Sequence, residues 1–199
     1  MRVIAGKYKR KLLISTPGQD TTRPTSDRVK ESLFNILQPH LQDAVVLDLF
    51  AGSGALGIEA LSRGARKVIF IEHDTAAITA LRKNITTVGI PTSQAIILNL
   101  KVEEFLEKPF RYLNQASPTE DFAASADLVI ADPPYGSEWY DSAITQIESS
   151  QLCHANSLVA LEMSQLKTLP EKMQNWHRFN ERKYGKTRLE FWEKQIEGD

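Results

Sequence analysis

An α/β domain is what this sequence predicts: a seven-stranded, mostly parallel sheet with one antiparallel strand, helices on both faces, and a short N-terminal β-hairpin ahead of it. Three observations carry the prediction. Short apolar runs alternate with segments of helical periodicity. Asp48, Glu72, Lys101 and Asp132 fall at or just beyond the ends of four such runs, where α/β sheets bind ligands. The last two strand-like pieces meet near Gly185, too close for a helical crossover, so they pair antiparallel.

Residues 2–14 alternate weakly around Gly6 and read as the hairpin. Thr22 to Asp27 read as a helix entry, with Thr25 or Ser26 as cap, and Val29, Leu33, Ile36 and Leu37 recur at helical spacing. Ala44 to Leu49 form a short apolar run suited to a buried parallel strand. A glycine-rich turn leads into a helix over 53–63. Strands follow at Val68–Ile71, Ala95–Leu98, Leu128–Ala131 and Leu158–Leu161, with helices at 74–88, 102–108 and 138–149 between them. Residues 109–126 carry Pro109, Asn114, Ser117 and Pro118 and read as a surface loop. Two strands at 176–184 and 187–194 complete the sheet.

The 199 residues suit one domain, with residues 1–24 as a basic extension and 25–199 as the main body. No run of about 18 apolar residues crosses a membrane. The basic N-terminus lacks the apolar segment of a secretory signal. Cys153 stands alone, which excludes an internal disulfide and suits a reducing cytoplasm. The net charge of −1 conceals an uneven distribution. Arg2, Lys7, Lys9, Arg10, Lys11, Arg23, Arg28 and Lys30 face only Asp20 and Asp27 in the first thirty residues, and a second basic stretch runs from Arg178 to Arg188 through Lys186. Phosphate binding needs local positive potential rather than a basic average.

Gly52-Ser53-Gly54-Ala55-Leu56-Gly57 fits a dinucleotide fingerprint in form. Asp48 argues against that use. A carboxylate four residues ahead of the first glycine repels a pyrophosphate but attracts the ammonium group of a methionine moiety. Glu72, ending the second strand, is placed to accept from ribose hydroxyls. His73 beside it is either an adenosine contact or a plain helix-start residue.

Asp132-Pro133-Pro134-Tyr135 follows the fourth strand directly. The lone pair of an exocyclic base amine is delocalised into its ring. The Asp132 carboxylate and the Pro133 carbonyl, accepting from the amine hydrogens, would turn that lone pair toward an electrophilic methyl group. The prolines hold both acceptors in place, and Tyr135 offers a ring on which an extruded base can stack. Trp139 and Tyr140 either line the same pocket or pack as helix core. Cys153 lies away from this loop and reads as a buried small residue. His40, His73, His154 and His177 show no metal-ligand spacing with it, so no metal is expected.

Asp48 to Gly54, Glu72 and Asp132 to Tyr135 resemble the class I, Rossmann-like methyltransferases that act on amino groups. Arg23 to Asn35 together with Leu47 to Ala65, Arg2 to Gly6 and Tyr184 to Thr187 narrow the resemblance to the bacterial ribosomal small-subunit methyltransferase D family. That resemblance implies methyl transfer from S-adenosylmethionine to the exocyclic 2-amino group of a guanine in 16S ribosomal RNA. It implies a cofactor site of Asp48, Phe50, Ala51, Gly52, Ser53, Gly54, Glu72 and His73, and a catalytic loop of Asp132, Pro133, Pro134 and Tyr135. Lys101 departs from the family's usual Asp or Asn, which leaves the Val102 amide or the Asn99 side chain to hold adenine. RNA contacts are expected from Arg2, Lys7, Lys9, Arg10, Lys11, Arg23, Arg28 and Lys186, with 16S RNA or the small subunit as partner to a cytoplasmic monomer. Adenine-6-amino methylation of DNA or RNA, glutamine-amide methylation, a dinucleotide-dependent oxidoreductase and a non-catalytic RNA binder stand as rival readings.

Overall fold

The computed structural model describes all residues except 16–23, 120–125, 135–138, 168, 170–171, 174 and 196–199. The predicted Arg23 and Tyr135 contacts lie outside the described residues. The chain builds α1 (Pro24–Leu37), β1 (Val45–Leu49), α2 (Ala55–Ser62), β2 (Lys67–Glu72), α3 (Thr75–Val88), β3 (Ala95–Asn99), α4 (Val102–Glu107), α5 (Pro109–Ala116), β4 (Ala126–Ala131), α6 (Ala143–Ser149), β5 (Cys153–Ser164), β6 (Lys172–Met173), β7 (Trp176–Tyr184) and β8 (Thr187–Lys194). The sheet order is β3-β2-β1-β4-β5-β8-β7-β6. Strands β1 to β5 are mutually parallel, and β8 runs antiparallel to both β5 and β7. The seven expected strands are therefore present, with β8 as the reversed one. The two-residue β6 adds an edge that the sequence reading lacked.

Side-chain alternation along the strands divides the core into two layers. Val46, Val68, Phe70, Ile130 and Ala160 face one way and pack with α1, α2 and α3. Leu47, Ile69, Ile71, Val129, Val159 and Leu161 face the other way and pack with α4, α5 and α6. Three local expectations change. Helix α1 starts at Pro24, which places Thr25 and Ser26 inside its first turn rather than at the cap; proline is favoured at that first position because its missing N–H has no partner there. The expected loop after Pro109 opens instead with α5, whose Leu113 is fully buried, again with proline at the helix start. The helix expected at 138–149 divides into a 3-10 turn over Trp139–Asp141 and α6.

The N-terminal segment folds back as expected, but its pairing is a single antiparallel bridge between Arg2 and Leu12. It lies on the main body and buries Val3, Tyr8 and Leu13 in the α1–α3 layer. Glu59 on α2, with 0% exposure, accepts the Ile4 and Ala5 N–H groups at 2.7 and 3.0 Å. Arg63 and Lys30 balance its charge at 2.8 and 3.7 Å. Ser62 accepts from the Tyr8 N–H, and Asn84 on α3 bonds both the N–H and the carbonyl of Ile14.

Candidate active site

The carboxyl ends of β1, β2 and β4 bring Asp48, Glu72 and Asp132 to one edge of the sheet, with Asn99 and Val102 at the end of β3 beside them. The turn after β1 reverses sharply: Phe50, Gly52 and Gly54 have φ of 62°, 55° and 84°. Gly54 needs its glycine twice over, because a Cβ there would also come within 2.2 Å of Leu81 Cδ1. A Cβ on Gly52 would meet nothing within 4 Å, so this side of the loop is open to a ligand. Ser53 and Ala51 are buried beneath the turn. Phe50 stands edge-on to Trp139, with ring centroids 5.1 Å apart.

Asp48 lies within β1 rather than beyond it and is 1% exposed. Its Oδ2 accepts the Gly57 N–H at 2.8 Å, which ties strand to helix. Burial raises its carboxyl to about 7 despite that bond, and the nearby Asp132 and Glu72 carboxylates push the same way. Glu72 holds the turn from the next strand: Oε2 accepts from Gly52 at 2.8 Å, and Oε1 accepts from His73 and Asp74 at 2.7 and 2.8 Å. A carboxylate has about four acceptor sites, so the three backbone bonds leave room for about one ribose hydroxyl rather than two. His73 is exposed, its Nδ1 3.4 Å from Glu72. Val102 opens α4 and is buried, whereas Lys101 and Asn99 are exposed nearby.

Asp132 follows β4 on the sheet face that carries Asp48 two strand positions earlier, in register with Ile130. It keeps solvent-accessible surface, yet protein atoms crowd it on its other sides, and that desolvation raises its carboxyl to about 6. Pro133 is buried and Pro134 exposed. Trp139 and Tyr140 are buried, 5% and 4% exposed, Trp139 against Phe50 and Tyr140 beneath the proline loop. Tyr140 is more than filler. Its hydroxyl donates to the Glu162 carbonyl at 2.9 Å and reaches the Pro133 carbonyl at 3.4 Å, clamping the proline loop to β5. Glu162 itself escaped the sequence reading. Its signal was available: it follows the run Leu158–Leu161 as Asp132 follows Leu128–Ala131.

The basic residues form a separate surface. Arg2, Lys9, Arg10 and Arg28 line a groove of about 360 Å³ between the N-terminal turn and α1, tempered by Asp27 and Glu31. Lys7 and Lys11 are exposed beside it. Lys186 is exposed at the β7–β8 turn, next to Tyr184, whose hydroxyl bonds Ser32 on α1. Among the described residues no group of three or more His, Cys, Asp or Glu side chains is placed to hold a metal ion, and no helix is long and apolar enough to cross a membrane.

Comparison with known proteins agrees with this geometry. The family model described as Conserved hypothetical protein 95 matches residues 1–193. The ribosomal RNA small subunit methyltransferase D of Haemophilus influenzae is 37% identical over 188 residues, covering 93% of this chain and 89% of that protein. Its namesake from Escherichia coli K12 is 32% identical over 200 residues, covering 100% and 92%. A solved Escherichia coli structure described as a candidate methyltransferase superposes with a TM-score of 0.81 at 30% identity, over 98% of each chain. The cofactor is S-adenosylmethionine, and the open face of the Gly52 turn beside the buried Asp48 fits its methionine end. A match along nearly the whole chain, with the glycine turn and the proline loop both in place, makes this chain a member of the ribosomal RNA small subunit methyltransferase D family.

Proposed function

We propose that this methyltransferase acts on the exocyclic 2-amino group of a guanine in 16S ribosomal RNA. The Asp132-Pro133-Pro134 loop beside the Asp48 and Glu72 turn supports methyl transfer to an amine, and the choice of the guanine 2-amino group rests on the family resemblance. S-adenosylmethionine supplies the electrophilic methyl group. Asp48, Phe50, Ala51, Gly52, Ser53, Gly54, Glu72, His73 and Val102 hold it, with Glu72 fixing the turn and accepting one ribose hydroxyl. Asp132 and the Pro133 carbonyl accept from the amine hydrogens and so direct its lone pair. Orientation and acceptor placement give the acceleration, not a strong base.

Residues 1–24 serve in this reading as an RNA-docking element. The groove lined by Arg2, Lys9, Arg10 and Arg28 has the charge to take backbone phosphates, and the exposed Lys7, Lys11 and Lys186 are further candidates for such contacts. The test is methyl transfer from labelled S-adenosylmethionine to undermethylated small subunits, followed by nucleoside analysis. The expected product is 2-methylguanosine. Methylated adenosine would overturn the choice of base.

A further inference from the structure

The strand register places an unused carboxyl beside the reacting one. Ala131 pairs with Leu161 across β4 and β5, so the next residues, Asp132 and Glu162, lie side by side at the carboxyl ends of the two strands. They share the face that carries Ile130 and Ala160, about 4.8 Å apart at the backbone by ordinary strand spacing. Tyr140 locks the pair together, because the hydroxyl that reaches the Pro133 carbonyl also holds the Glu162 carbonyl. Glu162 is half-buried, and no hydrogen bond among the described residues engages its side chain in a structural role.

The groups around it are few. Asp132 is the charge that acts on Glu162, and beyond Asp132 stand Asp48 on β1 and Glu72 on β2. On the other flank β8 presents Leu189 opposite Glu162. Arg188 and Glu190 point to the opposite face, where Arg188 meets Glu190 at 3.0 Å and Met163 at 3.4 Å. Lys30 on the covering helix α1 is taken up by Glu59 and the Arg2 carbonyl.

We propose that Glu162 is a positioning residue for methyl transfer: it pairs with Asp132 so that the two carboxyls together take up the proton released by the amine. The inference rests on the amine-methylation reading above. The balance is simple. The amine lone pair forms the N–C bond, the C–S bond breaks with its electrons going to sulfur, and the nitrogen becomes cationic. One N–H proton then moves to the carboxyl pair, which goes from one negative charge to none and later returns the proton to water. Both carboxyls are raised by burial, Asp132 to about 6 and Glu162 to about 8, and the Asp132 charge adds to the effect on Glu162. At neutral pH the pair therefore carries one proton and one charge: Glu162 holds the proton and steadies the ionised Asp132, which takes up the one the amine releases.

Glu162→Gln keeps the size and the backbone bond to Tyr140 but removes one titrating group. Single-turnover methyl transfer to undermethylated small subunits, with saturating cofactor, should be slowed roughly a hundredfold at its plateau. The pH–rate profile should lose the inflection that belongs to Glu162 at the higher pH, because Asp132 then titrates alone. Cofactor affinity should be unchanged. A profile and rate within twofold of wild type would overturn the proposal. A second measurement needs neither RNA nor a folded variant: carboxyl-carbon NMR of the wild-type protein should show Asp132 and Glu162 titrating jointly, above the usual carboxylate range. An ordinary, independent titration of Glu162 would also overturn it. If wild-type product analysis finds methylated adenosine, the base assignment fails while the Glu162 comparison still decides this proposal, since the same loop serves either amine.

Discussion

Replacing Glu72 with Gln tests the cofactor site through its least replaceable hydrogen bonds. The Glu72 carboxylate is 8% exposed and accepts three backbone N–H groups between 2.7 and 2.8 Å. A Gln amide has one acceptor oxygen. If that oxygen stays with His73 and Asp74, its NH₂ group faces the Gly52 N–H, donor against donor; the reverse orientation loses two bonds instead of one. A charge-assisted bond contributes roughly 1.5–3 kcal/mol and a neutral one about 1, so one lost bond and two weakened ones cost about 3–5 kcal/mol. The damage falls on the Gly52 turn. If about 1.4 kcal/mol of it reaches the bound state, affinity for S-adenosylmethionine drops tenfold. Calorimetry with S-adenosylmethionine and S-adenosylhomocysteine measures that term, and thermal melting measures the rest, an expected fall of about 6 °C or more. A Kd within twofold of wild type together with an unchanged melting temperature would refute the account of Glu72 as the buttress of the turn.

Asp132→Ala should reduce single-turnover methyl transfer by roughly 10²–10³ with cofactor affinity nearly intact, and Asp132→Asn, which keeps an acceptor oxygen, should reduce it less; wild-type rates in both would leave the loop a purely structural role. Neutralising Lys7, Lys9, Arg10 and Lys11 should weaken RNA binding and flatten its salt dependence by about 0.7–0.9 per lost phosphate contact, measured by binding isotherms across salt. An unaltered slope would make them a solvated face. Asp48, raised to about 7 by burial, should release a proton when the cofactor ammonium arrives, because a cation favours its ionised form. Calorimetry at pH 6.5 in buffers of different ionisation enthalpy should detect the release, and Asp48→Asn should abolish it. The same raised value means that the folded protein binds an extra proton between the ordinary carboxylate range and pH 7. Asp48 therefore favours the folded state most in acid, and its contribution is lost as pH rises through about 7.

The parallel strands were legible because they are buried on both faces and read as unbroken apolar runs, such as Val68–Ile71. The reversed β8 was legible because two residues at Gly185 cannot hold a crossover. Helix α5 was not, because Pro109, Asn114 and Ser117 give turn signals, and only the burial of Leu113 and Pro109 against the sheet overrides them. The first half of β5 was also missed: Ala155 and Asn156 are exposed and carry no apolar pattern. At the site, Asp48, Glu72 and Asp132 announced themselves by standing at strand ends. What the sequence could not supply was the allocation of their lone pairs. That Asp48 also caps α2, and that Glu72 commits three acceptor sites to its own backbone, depends on distances between segments 9 and 20 residues apart. Glu162 stands after an apolar run as Asp132 does, but its place beside Asp132 depends on lateral register with β4, which no local pattern encodes.

The buried Glu59 has a consequence for how far this molecule can be taken apart. Its carboxylate receives the Ile4 and Ala5 N–H groups from inside the core, and Lys30 on α1 returns a bond to the Arg2 carbonyl at 2.7 Å. Deleting the first fourteen residues would strip a sealed anion of two donors, leave the Lys30 ammonium without that acceptor, and uncover the apolar seat of Val3, Tyr8 and Leu13. Disrupting a buried charge cluster of this kind costs about 3–5 kcal/mol, a large part of a small domain's stability. The extension and the methyl-transfer fold are thus one folding unit. A truncation would therefore unsettle the catalytic body as well, and only substitutions on the solvent side of the basic groove can test the proposed docking apart from the chemistry.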